Sequence, residues 1–384
     1  MLKSRSTILF FLLISFSFQL RSQETIPFDS LKINQIQTLG SHNSYHKRAN
    51  KFVLNFLKGL RGILPKEFNP KDLDYAHEPL LEQLDSFHLR SFEIDIYADP
   101  TGGHYYKRKK NNLLGKPKPS KIEALKEPGF KVFHIPDVDY NSHYITFKSM
   151  LLDFKKWSDQ HPNHLPIYLL IECKEETVAD KLPKLHFVKS IPFSPEICND
   201  MDTEIKAIFG DSLDKIITPD DVRGNYATLN EAVLAGSFPT VAAARGKFIF
   251  VMMGATTAYE KNHPSLKDRA MFTFASPNQA EAAFIKHDDA VGNETTIIDE
   301  VKKGYIIRAR ADSPNNQNRS GDYAAQKAAF LCGAQIISSD YYTPDPRYKK
   351  HPKKFKNYST KLGEKNLRVN PVNTIGKQVM DVKE

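Results

Sequence analysis

Apolar runs of strand length recur along the whole chain, and the segments between them place their apolar residues at helical spacing. The clearest runs are "INQIQTLG", "RSFEIDIYA", "FKVFHIP", "PIYLLIEC", "GKFIFVMMG", "MFTFAS", "GYIIRAR" and "AQIISSD". Between them, "ITFKSMLLDFKKWSDQH" and "DYAAQKAAFLCG" repeat apolar positions every three to four residues, as one face of a helix does. Strands alternating with helices predict a parallel α/β architecture, either an open sheet or a closed barrel. A weaker run, "LDKIITPD", makes the candidates too many for a (β/α)8 barrel, and "MFTFAS" is the first to be set aside.

Polar side chains decide between sheet and barrel. They fall at the C-terminal ends of at least four candidate strands spread over the chain, where a barrel assembles its site, whereas an open sheet gathers its site at one switch point. The expected fold class is therefore α/β, a TIM barrel. "GSHNSYH" offers His42, Asn43 and His46, and "SFEIDIYAD" offers Glu93, Asp95 and Asp99. Side chains alternate along a strand, so Glu93 and Asp95 share a face, and two carboxylates on one face need a cation, a proton or a substrate between them. "KVFHIPDVD" supplies His134, and "PIYLLIECKE" supplies Glu172 with Lys174 on the same face.

Asn43, Glu93, Asp95 and Glu172 together make an all-oxygen set, which suits calcium, and less readily magnesium, better than zinc. His42 and His134 then stay free for proton transfer or charge stabilisation across a scissile phosphate. In "YIIRARADS", Arg308, Arg310 and Asp312 have one parity and one face. Arg310, nearer the strand end, can grip phosphate oxygens as a fork. Asp340 ends "QIISSD", and Tyr341 and Tyr342 after it fit either the flanks of a ring-shaped head group or the barrel rim. His77 and His104 are expected in exposed loops.

A net charge of +9 and a pI near 9.1 imply an anionic partner. Basic and aromatic residues do not interleave as they do on a base-stacking platform, so no nucleic acid is expected. The densest basic segment, "KRKKNNLLGKPKPSK" at 107–121, reads as a solvated loop. After Lys3 and Arg5, "TILFFLLISFSFQL" has the length of a signal peptide, and no second run of that kind follows. Residues 1–22 are read as a leader and 23–384 as one mature domain with a basic, irregular tail from about 343, with no transmembrane segment. Such a protein is expected to be secreted or periplasmic, and a monomer. Three cysteines, Cys173, Cys198 and Cys332, argue against a disulfide scaffold, leave room for one bridge with at least one thiol unpaired, and have no zinc-ligand spacing.

With these residues in view, the chain resembles the calcium-dependent phosphoinositide phospholipase C family, in particular its bacterial secreted branch. The resemblance rests on "LGSHNSYH", "FEIDIYAD", "VFHIPDVD", "LLIECKE", "RGNYATLNEAV", "FPTVAAARGKFIFVM", "RARAD" and "AQIISSDYY", and spans about residues 33–342. It implies a TIM barrel of the PLC-like phosphodiesterase type, one Ca2+, and a phospholipid head group at a membrane surface as partner. The implied reaction cleaves phosphatidylinositol or a related phosphoinositide into diacylglycerol and a (cyclic) inositol phosphate, with the inositol 2-hydroxyl as nucleophile. By motif, it implies His42 and His134 as catalytic residues and Asn43, Glu93, Asp95 and Glu172 as calcium ligands. Glu93 or Glu172 would be the proton acceptor, and Lys174 and Arg310 the phosphate contacts.

The chain departs from the eukaryotic members in having no room for pleckstrin-homology, EF-hand and C2 modules. Its long gap between Asn43 and Glu93 holds "KRANKFVLNFLKGLRGILPKEF", which fits an interfacial helix at the barrel mouth or an ordinary helix on the barrel wall. The alternative family is a glycerophosphodiester phosphodiesterase or sphingomyelinase D-like enzyme, also a metal-dependent barrel with two histidines and a Glu-x-Asp pair. Its usual arginine after the first histidine is Asn43 here.

Overall fold

Strands that are apolar on both faces can be buried only if helices cover one face and neighbouring strands enclose the other. The computed structural model shows this arrangement, and it describes residues 24–49, 51–59, 62, 70–108, 116–181, 186–313 and 315–382. The expected leader, 1–22, lies outside the described residues. Eight parallel strands form the ring: β1 Ile36–Ser41, β2 Ser91–Tyr97, β3 Ile167–Cys173, β4 Phe248–Met253, β5 Phe272–Thr273, β6 Phe284–His287, β7 Ile306–Arg310 and β8 Ile336–Ser339. Each pairs with the next, β8 pairs with β1, and a parallel bridge from Phe274 to Phe284 closes the ring. This is the expected (β/α)8 barrel.

Packing explains two local choices. A Cβ at Gly40 would lie 2.4 Å from the carbonyl oxygen of Ser91, so only glycine lets β1 approach β2 this closely. Helix Phe147–Gln160 follows β2, starts at Thr146, whose hydroxyl accepts a hydrogen bond from the Ser149 amide, and buries Phe147, Met150, Leu151, Phe154 and Trp157. That i, i+3, i+4 stripe lies on the barrel wall, each side chain contributing about 1.5–3 kcal/mol of burial.

Three strand assignments differ from the sequence pattern. "MFTFAS" does belong to the ring, as β5 beside Val251 and Met252. "FKVFHIP" does not: only Lys131–Val132 is extended, and it pairs antiparallel with Ile96 and Tyr97. Its apolar residues are shared out: Phe130 and Val132 join the main core, while Phe133 packs with Tyr97, Tyr105 and Tyr140 in a satellite cluster. His134 therefore sits in a bend after that edge pairing rather than on a barrel strand. "LDKIITPD" makes only one bridge, Ile216 to Phe248. The strand missed in the sequence is β6, whose burial stops at Ile285 before Lys286 and His287, leaving too short an apolar signal.

The stretch beyond 343 is more ordered than its composition implies. Leu367–Val369 pairs antiparallel with β1, and Lys377–Met380 pairs with Glu24–Pro27. Within the basic 107–121 segment, Lys107–Arg108 and Lys118–Pro119 pair as an antiparallel ladder. All three cysteines are buried free thiols. Among the described residues, no helix is long and apolar enough to cross a membrane.

Candidate active site

The loop after β1 is held by a local hydrogen-bond lattice. The Ser41 hydroxyl donates to Gln83 Oε1 at 2.6 Å, Gln83 Nε2 donates to the Ser44 carbonyl at 2.9 Å, and Ser44 Oγ accepts from the Glu93 amide at 2.9 Å. Asn43 adopts a left-handed φ of 48°, which asparagine tolerates better than most residues. The turn thus fixes His42 and Asn43 against the end of β2.

His42 is tightly bracketed. Its Nδ1 lies 3.0 Å from Asp340 Oδ1, and its Nε2 lies 3.4 Å from Glu93 Oε1 and 3.5 Å from Arg310 Nη1. Burial raises the Asp340 carboxyl, but His42 and Arg310 outweigh it and hold its pKa far below the usual carboxylate value. An ionised Asp340 can only accept, so Nδ1 carries the hydrogen, and whenever the ring gives up its second proton the lone pair lies on Nε2, facing the site. Arg310 Nη2 donates to Asp340 at 2.7 Å and to Asp312 at 3.2 Å. Asp312 in turn accepts from the Ser339 hydroxyl and the Asp340 amide, both at 2.6 Å.

Glu93 spends its other oxygen on Arg308, which is buried and also donates to Asp288 at 2.6 Å. Next to Glu93, both Asp95 oxygens and Asn43 Oδ1 are buried and accept no hydrogen bond of ordinary geometry, although the Tyr45 hydroxyl neighbours Asp95 and the Tyr75 hydroxyl neighbours Asn43. Burial raises the Asp95 pKa well above its usual value, Lys174 opposes the rise, and Glu172 and Glu93 add to it. Lys174 Nζ donates to Glu172 Oε1 at 3.0 Å and lies 4.0 Å from Asp95 Oδ2. Asn43 Oδ1 and the Asp95 carboxylate, buried beside Glu93 and Glu172, are oxygen donors of the kind that calcium takes.

The family described as phosphoinositide phospholipase C, Ca2+-dependent, matches residues 31–371. This chain belongs to that family. A comparison with curated proteins finds no match. Among solved structures, the chain is similar to a Ca2+-dependent phosphatidylinositol-specific phospholipase C from Streptomyces antibioticus, at 17% identity and a TM-score of 0.50, covering 81% of this chain and 95% of that one. It is also similar to a calcium-dependent phosphoinositol-specific phospholipase C from a Gram-negative Pseudomonas species, at 15% identity and a TM-score of 0.52, covering 89% and 96%. At such identities these structures establish a shared barrel and nothing finer.

Within this family member, the second expected histidine has a different setting. Burial, followed by the neighbouring His46, lowers the His134 pKa to about 3, and its Nδ1 has no hydrogen-bond partner. The Tyr97 hydroxyl donates to its carbonyl at 3.1 Å. His46 is buried, stacks on Tyr75 at 4.5 Å, and lies 3.0 Å from Asp139 through Nε2.

Several site residues carry no role in the sequence reading. Asp340 was legible in principle, since β8 pairs Ser339 with Ser41 and so sets Asp340 beside His42. Parity also placed Arg308 on the right face, but not its pairing with Glu93. His77, expected in an exposed loop, is buried, with Nε2 2.7 Å from the His42 carbonyl oxygen and 3.6 Å from Asp340. His104 is exposed as expected and bonds the Lys189 carbonyl at 2.7 Å. Tyr341 and Tyr342 are buried, with Tyr342 stacked on His77, so they line the barrel rim and leave no free aromatic face.

Proposed function

We propose that this protein is a calcium-dependent phosphodiesterase. It cleaves phosphatidylinositol or a related phosphoinositide into diacylglycerol and a cyclic inositol phosphate, which water then opens. The observation that carries this reading is the position of His42 Nε2, aimed by Asp340, 3.4 Å from Glu93 and next to buried oxygens that lack hydrogen bonds. Asn43, Glu93, Asp95 and Glu172 would hold the calcium. When bound, that ion supplies positive charge that lowers the pKa of the inositol 2-hydroxyl and neutralises phosphate.

The chain's own residues do the rest. His42 Nε2 accepts the 2-hydroxyl proton, because Nδ1 is committed to Asp340, and the resulting imidazolium is stabilised by that carboxylate. Each of the two glutamates already has a cation on one oxygen, Arg308 on Glu93 and Lys174 on Glu172, which leaves the proton to His42. The 2-hydroxyl oxygen displaces the diacylglycerol oxygen at phosphorus, and that oxygen leaves as the alcohol with the proton His42 had taken. His134, neutral in the free protein, offers a ring N–H to the phosphate, while Arg310 and Lys174 supply charge beside it. In the second step the same groups act in reverse on water.

A lipid surface is the proposed partner. Helix Lys51–Gly59 buries Val53 and Leu57 against Val138, Val178 and Phe187, and leaves Phe52 exposed beside Lys51 and Lys58. Such a face suits the boundary between head groups and acyl chains, with the protein exported and monomeric. Phosphorus NMR of the purified protein with phosphatidylinositol micelles tests the reading. A cyclic inositol phosphate resonance that grows with calcium and stops with excess chelator is the expected result. Phosphatidic acid or glycerol phosphate signals would instead assign the chemistry to the glycerophosphodiesterase or sphingomyelinase D class.

A further inference from the structure

Next to the oxygen cage lies a second group of ligating atoms with different chemistry. One ring nitrogen each from His46 and His134 and one oxygen of Asp139 lie within 4.8 Å of one another. Nδ1 of both histidines is buried and makes no hydrogen bond, although His46 itself is fully enclosed. Two imidazoles and one carboxylate do not extend a calcium site, because calcium takes oxygen ligands. They match instead the three-ligand sites of zinc and related ions, in which water takes the fourth position.

The surroundings hold these ligands in place as partners of metal ligands do. Tyr75 stacks on His46, the Asn141 amide donates to Asp139 Oδ1 at 3.2 Å, and Tyr97 fixes the His134 backbone. Asp139 already lies 3.0 Å from His46 Nε2, and the ring edge of His134 faces His46 with centroids 5.7 Å apart.

We propose that His46, His134 and Asp139 form a second metal site, selective for a transition-metal dication of the zinc class. Its occupation commits the His134 ring to the metal, so zinc inhibits the enzyme while calcium supports it. This last clause rests on the phosphodiesterase reading; the site itself does not.

The full chain, saturated with calcium, is titrated with Co2+ as a visible-absorbing substitute for zinc, and with Zn2+ by calorimetry. The expected result is one equivalent of Co2+ with a d–d absorption band that excess calcium leaves in place. His134→Ala and His46→Gln, each shown to be folded by circular dichroism, should lose more than the roughly 10–100-fold in affinity that removal of an outer partner costs. Zinc should then stop calcium-supported turnover of phosphatidylinositol by the wild-type protein. Absence of the band, its removal by calcium, or unchanged affinity in both variants overturns the site. A protein that binds Co2+ as described but turns over no phosphodiester contradicts the proposed activity and leaves the site standing.

Discussion

The two histidines of this barrel occupy opposite kinds of environment. Around His42 each ring nitrogen has a charged neighbour: Asp340 on one side, Glu93 and Arg310 on the other, with Arg308 and Asp312 completing the network. Around His134 burial keeps the ring neutral and its Nδ1 unpaired. A ring fixed in one tautomer by an ionised carboxylate is prepared to take a proton. A neutral ring with a spare nitrogen is prepared to donate to a ligand or to bind one. In the proposed reaction the difference divides the labour: the His42 side would carry base chemistry, and the His134 side would contact charge.

The sharpest break of that comparison is His42→Ala, expected to lower kcat for phosphatidylinositol by about 10²–10⁴ with little change in KM, as loss of a general base does. Steady-state kinetics at saturating calcium measures it. Asp340→Asn should come next, at roughly 10²-fold or more in kcat. An amide N–H facing Nδ1 would move the hydrogen to Nε2 and remove the lone pair the reaction needs. Both variants should stay folded, and a fall of less than about 3-fold in the second would detach Asp340 from the mechanism.

Acid stability probes the other side. His134 titrates near 3 in the folded protein and at 6.5 unfolded. Between those values the unfolded chain holds the extra proton, so stability falls as pH drops from 6.5 towards 3 and is unaffected above 6.5. The loss is on the order of 1–4 kcal/mol, and His134→Gln should flatten this limb in urea melts at successive pH values. His77→Phe gives the smallest effect. Without the donor to the His42 carbonyl, stability should drop by about 1–3 kcal/mol and kcat a few-fold, with the pH optimum unmoved.

Much of this was legible in the chain because period-2 and period-3.6 patterns report burial directly. Glu93 and Asp95 share a face by parity alone, and the barrel follows from apolar strands that end in polar groups. The failures have local causes. Strand β6 is too short and too charged at its end to register, and "FKVFHIP" has a strand's pattern because its residues bury on two sides, Phe130 and Val132 in the main core and Phe133 in a side cluster. His46 and Asp139 meet only because the chain doubles back through the Ile135–Asp139 bridge, a turn no periodicity encodes. The partners of His42 needed the β8–β1 pairing, which is a property of ring closure rather than of any one segment.

Calcium binding by the oxygen cage is the property on which the proposed chemistry depends most directly. Isothermal calorimetry with Ca2+ on the wild-type protein and on Asp95→Asn decides it. One equivalent bound by the wild type, and affinity lowered by about 10-fold or more in the variant, is the expected result. Calcium binding that Asp95→Asn leaves unchanged would contradict the oxygen cage, and with it the assignment of His42 as the base beside a metal-activated hydroxyl.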